Sequence, residues 1–396
     1  MINIAILGFG VVGSGTAEVL TANQKIIEER CGCKYNIKYI LDLRDFPDSP
    51  FADKVVHDFN VILNDPEVSI IAEMMGGSHP AYDFSIAALR AGKHVVTSNK
   101  EVVSNFGTEL CRTAAENGVR YLFEASVGGG IPVIRPMIND LASNNINKIC
   151  GILNGTTNYI LTQMRDCGAS FESALKEAQR LGYAEANPSA DVDGIDAARK
   201  IVILASLASG KLINPKNIYT EGITKITLED TKLAAALGFA IKLIGFAKVS
   251  DGKLTAYVAP HFVPLSNPLS TINDVFNGIL ISADMVGEVM FYGPGAGKLP
   301  TASAVVADII DIMSTKVEDA KKIEWTDATD ADVADFSGFT CNRVLIFKGE
   351  TTPVEALKSA AIDGICAALT APMSECELVT LKEKFGDKLV AAYRAL

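Results

Sequence analysis

The chain has 396 residues, of which 48% are hydrophobic and 21% are charged, and its net charge is −11. This composition is typical of a globular protein with two or three domains. The acidic balance argues against nucleic-acid binding, which needs a basic face. No apolar stretch has the length of a membrane span, so we expect neither a nucleic acid nor a membrane as a partner.

Eight cysteines and four histidines are present, and no two cysteines have the Cys-X-X-Cys spacing. A zinc site is therefore not expected. We predict reduced thiols and a cytoplasmic location. The apolar start of the chain lacks a basic segment and is interrupted by glycines, which favours a buried strand over a signal peptide.

Strands and helices alternate in the first third of the chain. The apolar runs INIAIL, NIKYIL, VSIIAEMM, KHVVTS and VRYLFEA predict strands, and helical segments separate them. This alternation predicts an α/β fold with a Rossmann-type, doubly wound parallel sheet. The Gly/Pro-rich loop SVGGGIPVIRPM then marks a boundary, so residues 1–130 form a candidate dinucleotide-binding domain.

The following segments predict a second, α+β domain over residues 131–300. INKICGIL and KLTAYVAPHFV have the pattern of strands, while NGTTNYILTQM, SFESALKEAQRLG and DAARKIVILASLASG have that of helices. GPGAGKLPTASAVVADIIDIM is a glycine loop followed by a helix, and we assign residues 301–325 to a return to the nucleotide domain. Residues 326–396, with an acidic linker at their start, form a small C-terminal α+β module.

The motif GFGVVG follows the first strand and precedes a helix, which is the context that dinucleotide binding requires. Gly8 permits the tight turn, Gly10 lets the backbone approach a pyrophosphate, and Gly13 allows close helix packing. The alternative is a glycine-rich turn that binds nothing. The second strand ends in ILDLRDF, where Asp42 favours NAD and Arg44 favours NADP, so both cofactors stay open.

The segment DVDGIDAARK, residues 191–200, places Asp196 and Lys200 four residues apart on one face of a helix. One interpretation is an exposed ion pair that contributes little. The other is a site, because reduction of a carbonyl by a nicotinamide needs an acid that protonates the alkoxide, and lysine can be that acid. The apolar IVILASLASG that follows would anchor the helix.

Longer motifs resemble those of the homoserine dehydrogenase family, from residue 1 to about residue 313. They are GFGVVG, EMMGG, TSNKEVV, SVGGGIPVI, GILNGTTNYIL, LGYAEANPSADVDGIDAARK and GPGAGKLPTASAVVADI. The resemblance implies NAD(P)-dependent interconversion of L-aspartate 4-semialdehyde and L-homoserine, on the route to threonine, methionine and isoleucine. It also implies a homodimer or homotetramer, with residues 131–300 as the domain of substrate binding and dimerisation.

The resemblance implies catalytic roles for three residues. Lys200 would donate and accept the proton, Asp196 would orient Lys200, and Lys100 would polarise the carbonyl beside the nicotinamide. Asp193 has no role that the resemblance supplies.

Substrate binding is implied for four residues. Asp191 would hold the substrate ammonium, Glu185 would bind substrate, and backbone N–H groups of NGTT, at Gly155 and Thr156, would face it. The alternative for NGTT is a helix cap in which Thr156 or Thr157 accepts from backbone N–H groups. The residues expected to contact the cofactor are Gly8, Phe9, Gly10, Val11, Val12, Gly13, Arg44, Gly76, Lys100, Gly182 and Gly295.

The segment EASVGGGI resembles the monovalent-cation loop of the family. The ligands would be main-chain carbonyl oxygens, which suit a hard cation such as sodium, and the glycines would permit the tight curl. The alternative is a plain hinge loop. The residues that would supply these carbonyls are Glu124, Val127, Gly129 and Ile131.

The C-terminal segment departs from the βαββαβ ACT module that many members of the family carry. CNRVLIFKG and ICAALTA predict strands, and TPVEALKSAAIDG and SECELVTLKEKFGDKLVAAYRAL predict helices. This pattern leaves no room for the middle hairpin and predicts a shortened or divergent module. Inhibition by threonine therefore stays open.

Two other functions are compatible with a glycine loop of this kind. One is a different NAD(P) enzyme on the same scaffold, such as an amino-acid dehydrogenase that acts on an amine. The other is a nucleotide-sensing regulator without catalysis. NGTT together with DVDGIDAARK argues against the first, and turnover of a small-molecule substrate would exclude the second.

Overall fold

A computed structural model describes all 396 residues of the chain. The chain divides into two compact units, each assembled from three segments. The first unit comprises Met1–Asn145, Val202–Lys216 and Gly293–Ala328, and the second comprises Ile146–Ile201, Asn217–Tyr292 and Thr329–Leu396. The functional domain limits expected from the sequence stay a prediction.

Residues 1–145 alternate between strand and helix. The strands are β1 (Ile2–Leu7), β2 (Tyr35–Leu41), β3 (Val55–Val56), β4 (Val68–Glu73), β5 (His94–Thr97) and β6 (Tyr121–Leu122). The helices are α1 (Val11–Ala22), α2 (Gln24–Cys31), α3 (Phe59–Leu63), α4 (Ala81–Arg90), α5 (Lys100–Glu116) and α6 (Ile134–Ile138).

The six strands form one parallel sheet in the order β3-β2-β1-β4-β5-β6. The central strand β1 is covered on both faces, which is why its sequence is a continuous apolar run. The order and the parallel direction confirm the Rossmann-type sheet. The single helix expected after β1 is interrupted at Asn23, and the strand expected at VRYLFEA is confined to β6.

Residues 146–294 form the strands and helices of the mixed region. The strands are β7 (Ile146–Ile152), β8 (Lys211–Leu212), β9 (Tyr219–Thr220), β10 (Phe239–Ser250), β11 (Lys253–Pro264), β12 (Phe276–Ala283) and β13 (Gly287–Pro294). The helices are α7 (Gly155–Cys167), α8 (Phe171–Arg180), α9 (Ser189–Val192), α10 (Ile195–Ser209) and α11 (Leu228–Leu237).

The last hundred residues begin with a long helix and end in short strands. The helices are α12 (Lys298–Ser314) and α13 (Glu375–Phe385). The strands are β14 (Thr326–Asp327), β15 (Thr340–Cys341), β16 (Arg343–Lys348), β17 (Lys358–Ile362), β18 (Ile365–Leu369), β19 (Met373–Ser374) and β20 (Leu389–Ala395).

A ten-stranded sheet organises the second unit, with the order β13-β12-β7-β10-β11-β20-β16-β18-β17 and with β9 beside β11. Its longest ladder is antiparallel and runs from Phe239 opposite Pro264 to Ser250 opposite Lys253. Ile244 and Ala259 are fully buried in the core on this ladder. Parallel and antiparallel pairs occur together, so the expected α+β character is confirmed.

The C-terminal module differs from the prediction in its elements. TPVEALKSAAIDG contains the strand β17 instead of a helix, and β17 pairs with β18 in the middle hairpin that the sequence pattern left out. Asp363 and Gly364 form its two-residue turn with φ of 50° and 83°, and Asp-Gly is the dipeptide that such turns favour. The module lacks the first helix of a βαββαβ pattern, not the hairpin. The predicted final helix is also wrong in extent, because it ends at Phe385 and β20 follows.

Strand β20 connects the C-terminal strands to the rest of the sheet, since it pairs with β11 on one side and with β16 on the other. A buried charge cluster lies at this junction. Arg343 and Arg394 are 1% and 3% exposed, and both donate to Oε1 of Glu375, over 2.5 and 2.7 Å. The guanidinium of Arg394 also lies 4.6 Å from the ring centre of Tyr219.

No helix in the chain combines the length and the apolar character that a membrane crossing requires. No group of three or more His, Cys, Asp or Glu side chains could hold a metal ion. All eight cysteines are free thiols.

Candidate active site

The turn between β1 and α1 packs the glycines of GFGVVG closely together. Gly8 has a φ of 86°, a conformation that favours glycine. A Cβ atom on Gly13 would lie 1.9 Å from the carbonyl oxygen of Gly8, so no larger residue fits there. A Cβ atom on Gly10 would meet nothing within 4 Å, so this backbone is open to a ligand. A pyrophosphate-binding turn needs both features.

A cleft of about 510 Å³ adjoins this turn, a volume in the range of small-molecule sites. The side chain of Phe9 is buried, whereas that of Val11 is 66% exposed and does not line the cleft. Val12 and Gly13 do not line it either. Four residues that the sequence predicted to contact the cofactor line this cleft: Gly8, Gly10, Arg44 and Gly76.

At the edge of the cleft, Asp42 accepts the N–H of Phe9 over 2.8 Å and two guanidinium hydrogen bonds from Arg44, each 3.0 Å long. The hydrogen bond from Arg44 lowers the pKa of Asp42 to about 2. His57 also lines the cleft, and its Nδ1 lies 2.7 Å from the carbonyl oxygen of Asp42. That contact raises the pKa of His57. No sequence signal had marked His57.

Lys100 is the first residue of α5 and follows β5 after two residues. Asn99 caps this helix by accepting the N–H of Val102 over 3.1 Å, and its amide donates to the carbonyl oxygen of Gly77 over 2.8 Å. The carboxyl ends of β1, β4 and β5 meet at one edge of a parallel sheet. Lys100 is therefore at the same sheet edge as the glycine turn.

Two glycine loops of the first unit pack against each other. A Cβ atom on Gly129 would lie 2.5 Å from the carbonyl group of Gly295, and Gly130 N–H donates to the carbonyl oxygen of Pro294 over 3.2 Å. Gly129 has a φ of 57°. The GPGAG loop at Gly295 is thus in contact with the SVGGG loop.

The SVGGG loop is held by the carboxylate of Glu124, which is 2% exposed. This carboxylate accepts three backbone N–H groups, from Val133, Ile134 and Arg135, over 2.7 to 2.9 Å. The hydrogen bonds of the loop do not use the carbonyl oxygens of Glu124, Val127, Gly129 or Ile131 as acceptors. Such unpaired oxygens are the ligand type that a hard monovalent cation takes.

Asp196 and Lys200 form a buried pair, not the exposed helical pair that was the alternative. They are 6% and 8% exposed, and Lys200 Nζ lies 2.7 Å from Asp196 Oδ2. Lys200 also donates to the carbonyl oxygen of Leu153 at the end of β7, over 2.8 Å. The ammonium group is therefore oriented by two acceptors on two different elements.

Asn154 connects this pair to a second carboxylate. Its amide donates to Asp191 Oδ1 over 2.7 Å and to Asp196 Oδ2 over 2.9 Å, while its carbonyl oxygen accepts the N–H of Thr157 and caps α7. The cap is thus Asn154, and the expectation that Thr156 or Thr157 would be the cap is wrong. Burial raises the pKa of Asp191, the Asn154 amide opposes this rise, and the charge of Asp196 adds to it.

The other predicted substrate residues lie around the start of α7. Thr156 donates to the carbonyl oxygen of Tyr183 over 2.7 Å, and a Cβ atom on Gly155 would lie 2.6 Å from the carbonyl oxygen of Val275. Glu185 is exposed, and its backbone carbonyl oxygen accepts a hydrogen bond from the side chain of Gln179 over 3.1 Å. Gly182 and Asp193 are exposed as well.

A Rossmann unit with an open glycine turn, and a buried lysine between a carboxylate and a carbonyl oxygen, define the class of NAD(P)-dependent oxidoreductases. The comparisons with known proteins specify the family. The family model for the homoserine dehydrogenase NAD-binding domain matches residues 8–124, and the model for homoserine dehydrogenase matches residues 132–310. The chain belongs to the homoserine dehydrogenase family.

Individual relatives agree with this assignment. A homoserine dehydrogenase of Synechocystis sp. is 44% identical over 322 residues, which cover 79% of this chain and 73% of the relative. The crystal structure of a homoserine dehydrogenase from Thiobacillus denitrificans superimposes with a TM-score of 0.91 at 32% identity, over 100% of this chain and 98% of the other. A hyperthermophilic archaeal homoserine dehydrogenase in complex with NADPH has a TM-score of 0.67 at 30% identity, over 78% and 97%.

The family defines the reaction. The chain is an oxidoreductase that interconverts L-homoserine and L-aspartate 4-semialdehyde with a nicotinamide cofactor, in the biosynthesis of threonine, methionine and isoleucine. This result excludes the amine-directed dehydrogenase and the non-catalytic regulator.

Proposed function

We propose that Lys200 is the proton donor and acceptor of this reaction and that Asp196 orients it. The observation that carries the proposal is the pair of hydrogen bonds from Nζ, to Asp196 over 2.7 Å and to the carbonyl oxygen of Leu153 over 2.8 Å. A buried, doubly held ammonium group can protonate an alkoxide from a fixed direction. In the oxidation direction the neutral amine of Lys200 accepts the hydroxyl proton of homoserine and becomes the ammonium.

The nicotinamide, when bound, supplies or accepts the hydride. The chain fits such a cofactor because Gly10 leaves its backbone open and Gly13 allows the tight turn. We assign cofactor binding to the residues that the sequence indicated, with Lys100 near the carbonyl. Arg44 on the cleft supports use of NADP and Asp42 supports use of NAD, so both are proposed as substrates.

Asp191 is proposed to hold the substrate ammonium, because its carboxylate is only partly buried and the amide of Asn154 connects it by hydrogen bonds to the catalytic pair. Gly155 and Thr156 would offer backbone N–H groups at the start of α7, where the helix dipole favours the substrate carboxylate. Glu185 is retained as a substrate residue although its side chain is exposed.

A monovalent cation such as sodium is proposed for the SVGGG loop. The residues fit it, since four main-chain carbonyl oxygens accept no hydrogen bond there and Glu124 holds the loop by three backbone N–H groups. When bound, the cation would fix the loop that contacts Gly295. A cytoplasmic location is part of this proposal and rests on the free thiols.

Self-association as a homodimer or homotetramer is proposed through the edge strand β13. Tyr292 is 55% exposed and Met290 40%, and Tyr292 stacks on Phe276 of β12 with ring centres 5.3 Å apart. An exposed apolar edge strand of this kind is a pairing surface. Met290→Lys should lower the molar mass measured by light scattering, and an unchanged mass would exclude this surface.

The catalytic proposal is tested with Lys200→Met, which retains the length of the side chain but not its proton. We expect kcat for homoserine oxidation to fall by roughly 10²–10⁴-fold, the usual contribution of a general acid or base, while NADPH affinity is kept. Lys176→Met on α8 is the matched control, because Lys176 is exposed. A Lys200→Met enzyme with near wild-type kcat would contradict the assignment.

A further inference from the structure

Glu73, the last residue of β4, is a fully buried carboxylate at the cofactor edge of the parallel sheet. It is 0% exposed and no ion pair neutralises it. Its Oε1 accepts the N–H of Met75 over 2.7 Å, and its Oε2 accepts the hydroxyl of Thr97 over 2.6 Å. Met75 lies in the turn that follows β4, and Thr97 is the last residue of β5. The carboxylate therefore joins the turn after β4 to the end of the neighbouring parallel strand.

The network continues from Thr97 to the start of α5. Thr97 Oγ1 accepts the N–H of Asn99 over 2.9 Å, and the Asn99 amide donates to the carbonyl oxygens of Met75 and Gly77 over 3.2 and 2.8 Å. Asn99 is also the cap of α5, whose first residue is Lys100. Met75 lines the nucleotide cleft. One carboxylate thus connects a cleft wall to the helix turn that carries Lys100.

The burial of Glu73 lowers the free energy of unfolding when its carboxyl group is charged. Burial raises the pKa of Glu73 to about 7, with the hydrogen bonds from Thr97, Met75 and Asn99 opposing it. The folded state therefore binds this proton more tightly than the unfolded chain, and ionisation reduces stability as the pH rises through about 7. A buried carboxylate without an ion-pair partner lowers the stability of the fold when it is charged, so stability does not explain its presence. This points to a role of Glu73 in the site.

Few titratable groups face Glu73. On β6, burial and then the Glu73 charge raise the pKa of Tyr121, whose buried hydroxyl has no hydrogen-bond partner. On α5, Cys111 acts on the same Tyr121, and burial raises the pKa of Cys111 to about 12. Neither group is charged at neutral pH, so Glu73 is the group of this cluster that titrates there.

We propose that Glu73 is a positioning residue: its carboxylate fixes the turn after β4 and, through Thr97 and Asn99, the first turn of α5 with Lys100. The effect on catalysis rests on the role proposed above for Lys100. The effect on cofactor binding does not, because Met75 and Gly76 line the cleft themselves.

The test is Glu73→Gln, which keeps the shape and an acceptor for Met75 but replaces the acceptor of the Thr97 hydroxyl by a donor. We expect NADPH to bind about tenfold more weakly at pH 8, which corresponds to one hydrogen bond to a charged group. The pH dependence of NADPH affinity near pH 7 should become weaker, and the remainder belongs to His57, which lines the same cleft and whose pKa is also raised. Two substitutions of Thr97 test the same hydrogen bond. Thr97→Val should weaken NADPH binding more than Thr97→Ser, which retains the hydroxyl.

An optical readout that needs no turnover is available. Trp325 is the single tryptophan, and its ring lies so close to α5 that a Cβ atom on Gly107 would be 2.7 Å from it. Its emission therefore reports on α5. We expect it to change with a midpoint near pH 7 in the wild type and in Lys200→Met, but not in Glu73→Gln. If Glu73→Gln changed only the melting temperature, with wild-type cofactor affinity and pH dependence, the positioning role would be overturned.

Discussion

Arg44 makes two parallel hydrogen bonds, each 3.0 Å long, with the carboxylate of Asp42 at the edge of the nucleotide cleft. The base that would attract a 2′-phosphate is thereby held by the acid that would bind a 2′-hydroxyl. The preference for NAD or NADP therefore depends on whether Arg44 stays paired with Asp42 or binds the 2′-phosphate of NADP.

The first prediction concerns this competition. Asp42→Asn should raise kcat/KM with NADP relative to NAD, because it removes the competing charge, and Arg44→Ala should shift the ratio the other way. A change of about tenfold or more in the ratio is expected from a hydrogen bond to a charged group. Steady-state assays with both cofactors measure it. Equal ratios in both variants would show that the pair does not select the cofactor.

The second prediction concerns Asn154, which caps α7 and bridges two carboxylates. Asn154→Ser retains an oxygen that can cap the helix but removes the amide donor. We expect a large loss in kcat/KM for homoserine and a small change in melting temperature, because a retained cap limits the effect on the helix. Ser170→Ala removes the cap of α8 and serves as the control, with a stability effect of about 1 kcal/mol and wild-type turnover. A Ser variant with wild-type kcat/KM would reject the bridging role.

The third prediction separates Asp191 from Asp193, which are two residues apart. Asp191→Asn should lower kcat/KM for homoserine by roughly 30-fold or more, since losing one partner of a close charge pair costs about 2 kcal/mol. The loss should appear mainly in KM, because the ammonium is bound equally before and during the reaction. Asp193→Asn is the control, since this side chain is exposed and should change neither constant. Equal effects of the two substitutions would refute the assignment of Asp191.

The fourth prediction concerns the junction of Arg343, Arg394 and Glu375. Burial opposes ionisation, but the hydrogen bond from Arg343 and the charge of Arg394 hold the pKa of Glu375 below its ordinary value. The group therefore contributes stability above the ordinary Glu pKa of about 4.3 and loses it as the pH falls through the lowered value. Glu375→Gln should cost about 3 kcal/mol at pH 7, because it removes the carboxylate that pairs with buried Arg343 and leaves buried Arg394 with only Glu221, 3.8 Å away.

Denaturant titrations at several pH values measure this effect. The difference between wild type and Glu375→Gln should decrease below pH 4. Glu177→Gln, which removes the partner of the exposed Arg180, is the matched control and should change stability by less than about 1 kcal/mol. A difference that does not depend on pH would mean that packing, not charge, is lost.

Local sequence patterns were sufficient for the parallel sheet. A continuous apolar strand, three glycines at fixed spacing and a following helix are consecutive in the chain, so the turn at Gly8 can be read directly. The spacing of Asp196 and Lys200 likewise places them on one helix face. Their burial depends on β7, which lies more than forty residues earlier, and no local pattern contains that information.

The same reason explains what the sequence did not reveal. Asn154 acts through Asp191 and Asp196, and Glu73 acts through Thr97 and Asn99, across distances in sequence that only folding closes. In the C-terminal module, the alanines around Asp363-Gly364 favour a helix by propensity, but the pairing of β17 with β18, and of β18 with β16, overrides that preference. The Asp-Gly turn was the local signal that should have predicted the hairpin.

Strand β20 lies between β11 and β16, although it is the last of the three to be synthesised. The sheet of the second unit therefore cannot be completed while the ribosome is still adding residues 389–395. Until then the edges of β11 and β16 lack their partner strand and are open to pairing with other chains. A chaperone that protects these strand edges until residues 389–395 have emerged should therefore increase the yield of active enzyme.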